Sequence, residues 1–481
     1  MEKEKKTQDK GVRVRFAPSP TGRLHIGNLR AAIFNWLFAR HHNGKFLLRI
    51  EDTDKERSKK EYQDYMLESL KWVGINYDEE PLVQSSRIDT HIAAINKLIE
   101  EGKAYKCYCM QEDIENRQQE KLGHQDLYQG YDGFCRQRAE SGEAQEGHKP
   151  YVVRFRLPDK KSITFHDLIR GEITFELNQF DDFIIARSDG TPMYNLAVVV
   201  DDDFMNITHV IRGEDHISNT PKQIMLYEAC GFNVPQFAHV PLILGPSGDK
   251  LSKRDAAVSV LEYREQGFLP EALFNYLVRL GWSHGDQEVF SKDELVSFFD
   301  LDHVGKKGAI FDIDKLSWLN GVYLREHDPH DLKREIEVSL KFSFTDKLAK
   351  WDEQKTIKLI DLYKERVKTL KELVDSLVLL YEGPSGYDEK ALDKWVTQDT
   401  KAHIQSLVQY LEKEDDFTHD MLAKNIKALS KELGIKLVAL AQPIRISLTG
   451  SSASPGVFEL LEIVGKQESV KRIKNFIHKI G

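Results

Sequence analysis

The sequence predicts an α/β protein in which an inserted α+β module interrupts a parallel sheet and a helical C-terminal part follows. Three observations support this prediction. Residues 12–54 change their apolar period from two to 3.6 and back, as a strand, a helix and a second strand do. A polar stretch that contains cysteines separates this unit from a second group of strand and helix patterns. Beyond residue 328 helical periodicity dominates, which is typical of a helix bundle.

Residues 12–54 have the pattern of a βαβ unit. Alternating apolar residues predict a strand at 12–16, and two prolines end it because proline has no amide hydrogen for a ladder. Helical spacing begins at Leu29 and stops at Asn43 and Gly44, before a second strand pattern at 46–50. So short a connection indicates a right-handed crossover between parallel strands.

The loop between this first strand and the helix, residues 18–28, has the composition of a phosphate-binding turn. Ligands of parallel sheets bind at the carboxyl ends of the strands, which is where this loop lies. Gly22 and Gly27 permit close approach of the backbone, and Arg23 and His25 add donors beside the helix N-terminus. The loop is neither a Walker loop nor a GxGxxG turn. Its turn chemistry alone is as typical of a surface loop.

Helical patterns continue at 55–73 and 85–102, and residue 105 starts a different kind of sequence. The polar stretch 107–149 contains three of the four cysteines, and strand patterns at 152–157 and 173–177 follow. These features predict a small α+β insertion.

The pattern of the first domain returns after residue 192. Residues 193–200 form a nearly continuous apolar run, which predicts a buried parallel strand. Further strands are predicted at 209–212 and 240–244, with a helix from Thr220 whose first turn contains Pro221. We therefore expect one nucleotide-binding domain that the inserted module splits in two.

A second loop, residues 245–254, combines two glycines and a proline with Lys250, Lys253 and Arg254. Mobile basic loops beside a phosphate site commonly close over a polyphosphate. Taken in isolation, the same residues are typical of a solvated surface turn.

The composition is that of a globular protein of 481 residues, with 41% hydrophobic and 30% charged residues. A net charge of −9 argues against a protein that coats nucleic acid indiscriminately. There is no apolar run long enough to span a bilayer, and the charged stretch 1–10 does not resemble a signal peptide, so we expect a cytoplasmic protein without a membrane partner. Few cysteines argue against a disulfide framework, and the clustering of three of them indicates metal binding or chance.

The C-terminal part is predicted to be helical, mainly so at 256–323 and as a helix bundle from 328. Its last stretch, from Lys466 to Lys479, is basic. A basic run of this kind is typical of a solvated helix face, with phosphate contact as the alternative.

Five segments taken together resemble glutamyl-tRNA synthetases, class I enzymes with HIGH and KMSKS signatures. The segments are 15–22, 25–28, 49–54, 210–215 and 250–254. The order and spacing of the motifs agree, and the likeness extends over the whole chain. Asn28 stands at the second His of HIGH and Arg254 at the last Ser of KMSKS, as is usual in the glutamyl subgroup.

The resemblance implies a domain order. It comprises a Rossmann-type catalytic domain in two halves, an inserted acceptor-stem-binding module with the cysteine cluster, an α-helical stem-contact region and a C-terminal helix-bundle anticodon-binding domain. The corresponding ranges are 1–104 and 193–255, 105–192, 256–327, and 328–481.

The resemblance also implies roles for individual residues. His25, Lys250, Lys253 and Arg254 would be catalytic, with His25, Gly27 and Lys253 binding ATP together with Mg²⁺. Glutamate would be bound by Arg15 and Arg212 at its side-chain carboxylate, by Glu51 at its ammonium group, and by Tyr194 and Ser19. An arginine fits because its planar fork grips a carboxylate through two hydrogen bonds.

The cysteine cluster resembles a structural zinc site of some family members, with Cys107, Cys109, Tyr131 and Cys135 as ligands. His124 is an alternative fourth ligand, and Gln137 stands where other members have a histidine. Three thiols without a metal are the simpler alternative. Soft thiolates favour zinc, and a polar loop with little apolar content needs a ligand to order it.

The resemblance leaves several alternatives. The chain would use ATP, L-glutamate and tRNA(Glu), as a monomer, but the sequence does not indicate whether tRNA(Gln) is also charged. A glutamyl-queuosine tRNA(Asp) synthetase would lack the C-terminal bundle, and a glutaminyl-tRNA synthetase would have a β-barrel-like anticodon region. A non-catalytic tRNA-binding paralogue would have lost His25, Lys253 or Arg212, which are all present.

Overall fold

The structure is a computed structural model that describes residues 11–54, 56–122, 130–141, 149–249, 251 and 259–480. The chain divides into two compact units. The first is Met1–Val260 with Phe274–Asp312, and the second is Leu261–Leu273 with Ile313–Gly481. Four residues named from the sequence, Lys250, Lys253, Arg254 and His124, lie outside the described residues.

In the described part of the chain the strands form four small sheets, of three, four, two and three strands. The strands are β1 (Arg13–Phe16), β2 (Lys45–Ile50), β3 (Leu82–Val83), β4 (Ala104–Cys107), β5 (Val152–Phe155), β6 (Ser162–Asp167), β7 (Gly171–Glu176), β8 (Ile184–Ala186), β9 (His209–Gly213), β10 (Gln236–Val240), β11 (Ile243–Leu244) and β12 (Ala309–Ile310).

The helices account for most of the remaining described residues. They are α1 (Ile26–His41), α2 (Lys60–Trp72), α3 (Ile88–Glu100), α4 (Gln111–Leu122), α5 (Phe134–Glu140), α6 (Tyr194–Phe204), α7 (Thr220–Cys230), α8 (Val260–Glu265), α9 (Pro270–Arg279), α10 (Lys292–Phe298), α11 (Ile313–Glu326), α12 (Pro329–Ser339), α13 (Phe344–Lys347), α14 (Glu353–Lys364), α15 (Leu370–Glu382), α16 (Glu389–Trp395), α17 (Thr400–Lys413), α18 (His419–Glu432), α19 (Val438–Thr449), α20 (Val457–Val464) and α21 (Lys466–Lys479).

The predicted N-terminal βαβ unit is confirmed. β1 pairs in parallel with β2, and β2 pairs in parallel with β3. The crossover helix α1 begins at Ile26, three residues before the helical spacing becomes recognisable at Leu29. It starts there because the side chain of His25 caps the helix.

A second sheet, in the order β7-β6-β10-β9, completes the core of the first unit; it is mixed, because β6 and β7 pair antiparallel. β10 pairs in parallel with β9 along its whole length and with β6 through Phe237 and Asp167. The amide of Thr208, just before β9, donates to the carbonyl of Arg13 at 2.9 Å, so β9 lies alongside β1. The β6–β7 hairpin therefore extends this sheet, although it comes from the stretch predicted to be an insertion.

Two strand predictions in this part of the chain are wrong. Residues 193–200 do not form a strand; Met193 is the N-cap of α6 and the rest belong to that helix, in which Leu196 to Asp202 are buried. A continuous apolar run fits a buried helix as well as a buried strand, and burial all round removes the periodicity that distinguishes them. The strand predicted at 240–244 is two strands, β10 and β11, because Pro241 interrupts the ladder.

The predicted α+β character of the insertion is borne out by a separate antiparallel sheet, β4-β5-β8, with α4 and α5 beside it. β5 ends two residues before the predicted limit of 157. Cys107 is the last residue of β4, and Cys135 lies in α5.

The second unit is helical in its described residues, as predicted. Its basic last helix, α21, is not a uniformly solvated face, because Arg472 is buried. Nη1 of Arg472 donates to the carbonyls of Leu380 at 2.7 Å and Leu448 at 3.2 Å, and Nη2 donates to that of Tyr381. This arginine therefore caps the ends of α15 and α19. None of the described helices has the length and apolarity needed to cross a membrane.

Candidate active site

A cleft of about 550 Å³ lies at the carboxyl ends of the parallel strands β1 and β9. Strand ends of this kind are where ligands of open α/β sheets bind. The cleft brings together all the described residues that were predicted to bind ATP or glutamate. They are Arg15, Ser19, His25, Gly27, Glu51, Tyr194 and Arg212.

Each of these residues owes its position to an element that ends or begins at the cleft. Arg15 lies in β1, Glu51 follows β2, and Arg212 lies in β9. Tyr194 is the first residue of α6, and its position therefore depends on the helix that the sequence did not predict. Ser19 is exposed in the loop after β1.

The loop before α1 holds His25 against the start of the helix. Nδ1 of His25 accepts from the amide of Asn28 at 3.4 Å. A methyl group at Gly27 would lie 3.1 Å from Cε1 and Nδ1 of the His25 ring, which is tighter than an ordinary contact. Gly27 therefore leaves room for the conformation in which His25 caps the helix and lines the cleft.

Arg15 is held from behind by a buried carboxylate, Asp202. Nε of Arg15 donates to Oδ1 of Asp202 at 3.1 Å, and Nη2 donates to Oδ2 at 3.4 Å. Nη1 of Arg49 donates to the same carboxylate. Burial alone would raise the pKa of Asp202, but the two guanidinium groups outweigh it and hold this pKa below its usual value.

Glu51 is a second buried carboxylate, and it lines the cleft itself. Its Oε1 accepts from Nη2 of Arg49 at 3.0 Å and from Nε at 3.2 Å. Burial raises the pKa of Glu51, and the charges of Arg49 and Arg15 oppose this only in part.

Arg212, which also lines the cleft, is buried, and its described partners are all neutral. Nε donates to Nε2 of His239 at 3.1 Å, and Nη1 donates to Oε1 of Gln223 at 2.7 Å. Nη2 donates to Oγ1 of Thr220 at 2.8 Å and to the carbonyl of His216 at 3.3 Å. Among the described residues no carboxylate lies within ion-pairing distance of this guanidinium, and burial lowers its pKa.

Tyr194 lines the same cleft as Arg212 and is hydrogen-bonded to His216. The Tyr194 hydroxyl lies 3.3 Å from Nδ1 of His216. Burial, together with the charge of Arg212, lowers the pKa of His216 to about 4. His216 is therefore neutral near pH 7, so the hydroxyl and the imidazole act as polar, uncharged groups.

Sequence reasoning missed the residues behind the cleft, chiefly Asp202 and His239. A signal was present for Asp202, because buried arginines in core strands require acidic partners and an Asp-Asp-Asp run follows the apolar stretch 193–200. The sequence contains no local signal for His239, since its partners come from distant segments.

The cysteine cluster forms a separate candidate metal site in the insertion. The Sγ atoms of Cys107, Cys109 and Cys135 all lie within 4.8 Å of one another, and those of Cys109 and Cys135 are 3.4 Å apart. None of the three is in a disulfide. The Tyr131 hydroxyl accepts from the amide of Cys135 at 2.7 Å. Gln137 lies in α5, two residues after Cys135.

Comparison with known proteins assigns both units to families. The family of tRNA synthetases class I (E and Q), catalytic domain, matches residues 11–318. The family of anticodon binding domains matches residues 343–477. The fold, the cleft and these matches define a class I aminoacyl-tRNA synthetase, which is an ATP-dependent ligase.

Relatives of similar length identify the family within this class. The glutamate–tRNA ligase of Thermodesulfovibrio yellowstonii is 45% identical, over 97% of this chain and 99% of that protein. The glutamate–tRNA ligase of Geobacter sulfurreducens is also 45% identical, over 97% and 98%. A solved glutamate tRNA ligase from Elizabethkingia meningosepticum, in complex with its amino acid, has a TM-score of 0.87 at 34% identity, covering 98% of this chain and 100% of that one. The chain belongs to the glutamate–tRNA ligase family, and the resemblance found in its motifs is confirmed.

Proposed function

We propose that the cleft binds ATP and L-glutamate, forms glutamyl adenylate, and then passes the glutamyl group to tRNA(Glu). In the first step an oxygen of the α-carboxylate attacks the α-phosphorus of ATP, and pyrophosphate leaves. In the second step a hydroxyl of the terminal tRNA ribose attacks the acyl carbon, and AMP leaves. Both steps depend on positioning and on neutralisation of charge.

The observation that carries this proposal is the environment of Arg212. A buried guanidinium is costly unless a negative charge compensates it. Arg15 and Arg49 have Asp202 as a partner, whereas the described partners of Arg212 are neutral. An anionic ligand in the cleft would supply the missing charge.

The γ-carboxylate of glutamate is the anion that we assign to Arg212 and Arg15, and Glu51 is assigned to the ammonium group. Tyr194 donates a hydrogen bond from its hydroxyl to the ligand, and Ser19, in the loop after β1, lines the same pocket. Glutamine lacks the charge that Arg212 requires, and it should lose a charge-assisted hydrogen bond worth about 1.5–3 kcal/mol.

ATP is assigned to the other end of the cleft, at His25 and Gly27 beside the N-terminus of α1. That helix end favours phosphate because its amides and dipole point toward the ligand. Lys250, Lys253 and Arg254 are proposed to hold the departing pyrophosphate. Mg²⁺ bound with ATP would add charge neutralisation at the phosphates.

The remaining domain assignments are also proposals. Residues 105–192 would bind the acceptor stem, 256–327 would contact the stem and 328–481 would bind the anticodon, with 1–104 and 193–255 as the catalytic halves. The protein would act as a cytoplasmic monomer. A form that also charges tRNA(Gln) remains the second candidate, because the same glutamate site would serve both tRNAs.

Zinc is proposed at the cysteine cluster, held by Cys107, Cys109, Cys135 and the Tyr131 hydroxyl. Three thiols this close, with no disulfide among them, suit a tetrahedral site, and the role would be structural because protein groups would fill every position. Elemental analysis of the purified protein should find one zinc per chain. A Cys135→Ser variant should lose it, whereas Cys230→Ser, at the fourth cysteine, should retain it. Absence of zinc from the wild type would contradict the proposal.

The central test is glutamate-dependent pyrophosphate exchange, measured with and without tRNA(Glu). Arg212→Gln should lower kcat/KM for glutamate by at least about a hundredfold, equivalent to about 2.7 kcal/mol. Arg40→Gln is the matched control, because Arg40 pairs with Asp78 at the surface, at 2.8 Å, outside the cleft.

The wild type should charge tRNA(Glu), and a parallel reaction with tRNA(Gln) decides between the two candidates. Exchange that does not respond to glutamate even with tRNA present would overturn the proposed function. Equal activity of Arg212→Gln and Arg40→Gln would overturn the role of Arg212.

A further inference from the structure

A carboxylate, an imidazole and a guanidinium lie in a row beneath the cleft. Oδ2 of Asp167 is 2.6 Å from Nδ1 of His239, and Nε2 of His239 is 3.1 Å from Nε of Arg212. Asp167 and His239 are fully buried and Arg212 nearly so. The row ends at the guanidinium that lines the cleft.

The hydrogen-bonding groups permit only one tautomer of the neutral imidazole. A carboxylate accepts and a guanidinium donates. His239 must therefore carry its proton on Nδ1, toward Asp167, and leave Nε2 as an acceptor for Nε–H of Arg212. The other tautomer would direct N–H of His239 at N–H of Arg212 and would leave Asp167 without its side-chain donor.

The row fixes the plane of the guanidinium. Arg212 has five N–H groups. Nε is held by His239, one N–H of Nη1 by Gln223, and Nη2 by Thr220 and a backbone carbonyl. The N–H left on Nη1 is the one available to a ligand, and its direction depends on the Nε bond that anchors the other side of the planar group.

We propose that Asp167 and His239 are positioning residues for substrate recognition: Asp167 fixes the tautomer of His239, and His239 aims Arg212 at the side-chain carboxylate of glutamate. This inference rests on the proposed function of Arg212. Asp167 comes from the β6–β7 hairpin, 72 residues before His239, so the hairpin is part of the amino-acid site.

Asp167 also has a structural role that the test must separate from positioning. Its Oδ1 accepts from the amides of Ile169 at 3.0 Å and Arg170 at 2.9 Å, which close the turn of the hairpin. Asparagine keeps that oxygen and changes only the group that faces His239. Replacing a buried Asp by Asn beside a histidine favours the opposite tautomer, so Asp167→Asn should spare the turn and misdirect Arg212.

The experiment measures pyrophosphate exchange of the full chain with glutamate and ATP varied separately. Asp167→Asn should raise KM for glutamate at least tenfold and leave KM for ATP within about twofold. It should also lower the ratio of kcat/KM for glutamate to kcat/KM for glutamine. His239→Gln retains an acceptor for Arg212 and should be less impaired than His239→Leu.

The matched control is Asp300→Asn, which removes the charge from an exposed Asp–His pair with His303 at 2.7 Å. It should leave both KM values unchanged. If Asp167→Asn raised both KM values equally, or neither, the positioning role would be wrong. If Asp167→Asn did not fold, the two His239 variants would test the inference instead. Equal impairment of His239→Gln and His239→Leu would then overturn it. Wild-type kcat/KM for glutamate in Arg212→Gln would contradict the proposed function of Arg212 instead. Failure of the positioning role and failure of the proposed function are therefore distinguishable.

Discussion

Nε of Arg15 lies 3.1 Å from Oδ1 of Asp202, and the two side chains are only 5% and 1% exposed. Arg49 donates to the same carboxylate and to Glu51. Of the three buried arginines Arg15, Arg49 and Arg212, only Arg212 has no carboxylate among its described hydrogen-bond partners. An acidic ligand would give Arg212 the negative partner that Asp202 gives Arg15, and Asp202 orients Arg15.

Replacement of this shared carboxylate should damage both folding and recognition. Asp202→Asn should lower the free energy of unfolding by about 3 kcal/mol, because buried Arg15 loses its carboxylate partner and Arg49 loses one of its two, and it should raise KM for glutamate. Urea unfolding and pyrophosphate exchange measure the two effects. The control is Glu79→Gln, which removes the exposed carboxylate that pairs with Arg13, a residue of the same strand as Arg15. It should change the free energy of unfolding by no more than about 1 kcal/mol. Similar losses in both variants would contradict the role of Asp202.

The raised pKa of Glu51 predicts how glutamate binding depends on pH. Burial is the main cause of the shift, and only the ionised carboxylate attracts an ammonium group. As pH falls through this raised pKa, Glu51 becomes neutral and the Kd for glutamate should increase. Calorimetric titrations between about pH 5 and 8, above the ordinary pKa of carboxylates, should show this increase. Glu51→Gln should bind weakly throughout with a flatter profile; an unchanged profile would exclude Glu51 as its source.

A methyl group at Gly27 should reduce catalysis without loss of stability. It would press on the ring of His25 at 3.1 Å, whereas alanine in place of glycine favours a helix by about 0.5–1 kcal/mol. We expect kcat/KM for exchange to fall at least tenfold in Gly27→Ala while the midpoint of urea unfolding holds or rises. Gly11→Ala, where a Cβ would meet nothing within 4 Å, is the control for both measurements. A lower unfolding midpoint would show that Gly27 is needed for folding instead.

In the second unit, Arg472→Met should lower the free energy of unfolding by about 3 kcal/mol. The substitution leaves buried carbonyls at the ends of α15 and α19 without their donor, and each such loss costs about 1–3 kcal/mol before any relaxation. Lys471→Met, at the exposed neighbour, should be nearly neutral. Chemical denaturation followed by circular dichroism compares the two, and equal stability would mean that Arg472 contributes no more than a surface charge.

Local signals in the sequence were sufficient for the N-terminal βαβ unit and for the residues that line the cleft. Proline, glycine and the change of period mark the first strand and α1 without help from the rest of the chain. The motifs at Arg15, Glu51 and Arg212 were recognisable because their order and spacing agree with one family.

What escaped prediction depends on contacts between distant segments. The apolar run 193–200 has no period that separates helix from strand, and only its packing makes it α6. The strand prediction for 193–200 gave no reason to place Asp202 behind the cleft. The role of His239 follows only from its contacts with Asp167 and Arg212, which its local sequence does not indicate. The basic composition of the last stretch predicts a solvated face for Arg472, because a sequence does not indicate that a charged side chain reaches buried carbonyls.

The placement of β9 alongside β1 has a consequence for synthesis of the chain. Arg13 and Thr208 are 195 residues apart, and the hydrogen bonds between them join the sheet that contains β1 to the sheet that contains β9. On the ribosome, β1 and the apolar faces of α1 must wait for β9 and β10 to emerge, and contacts between such distant segments form slowly. Until then the edge of β1 that meets β9 has no partner strand, and we expect that unpaired edge to be the aggregation-prone part of an incomplete chain.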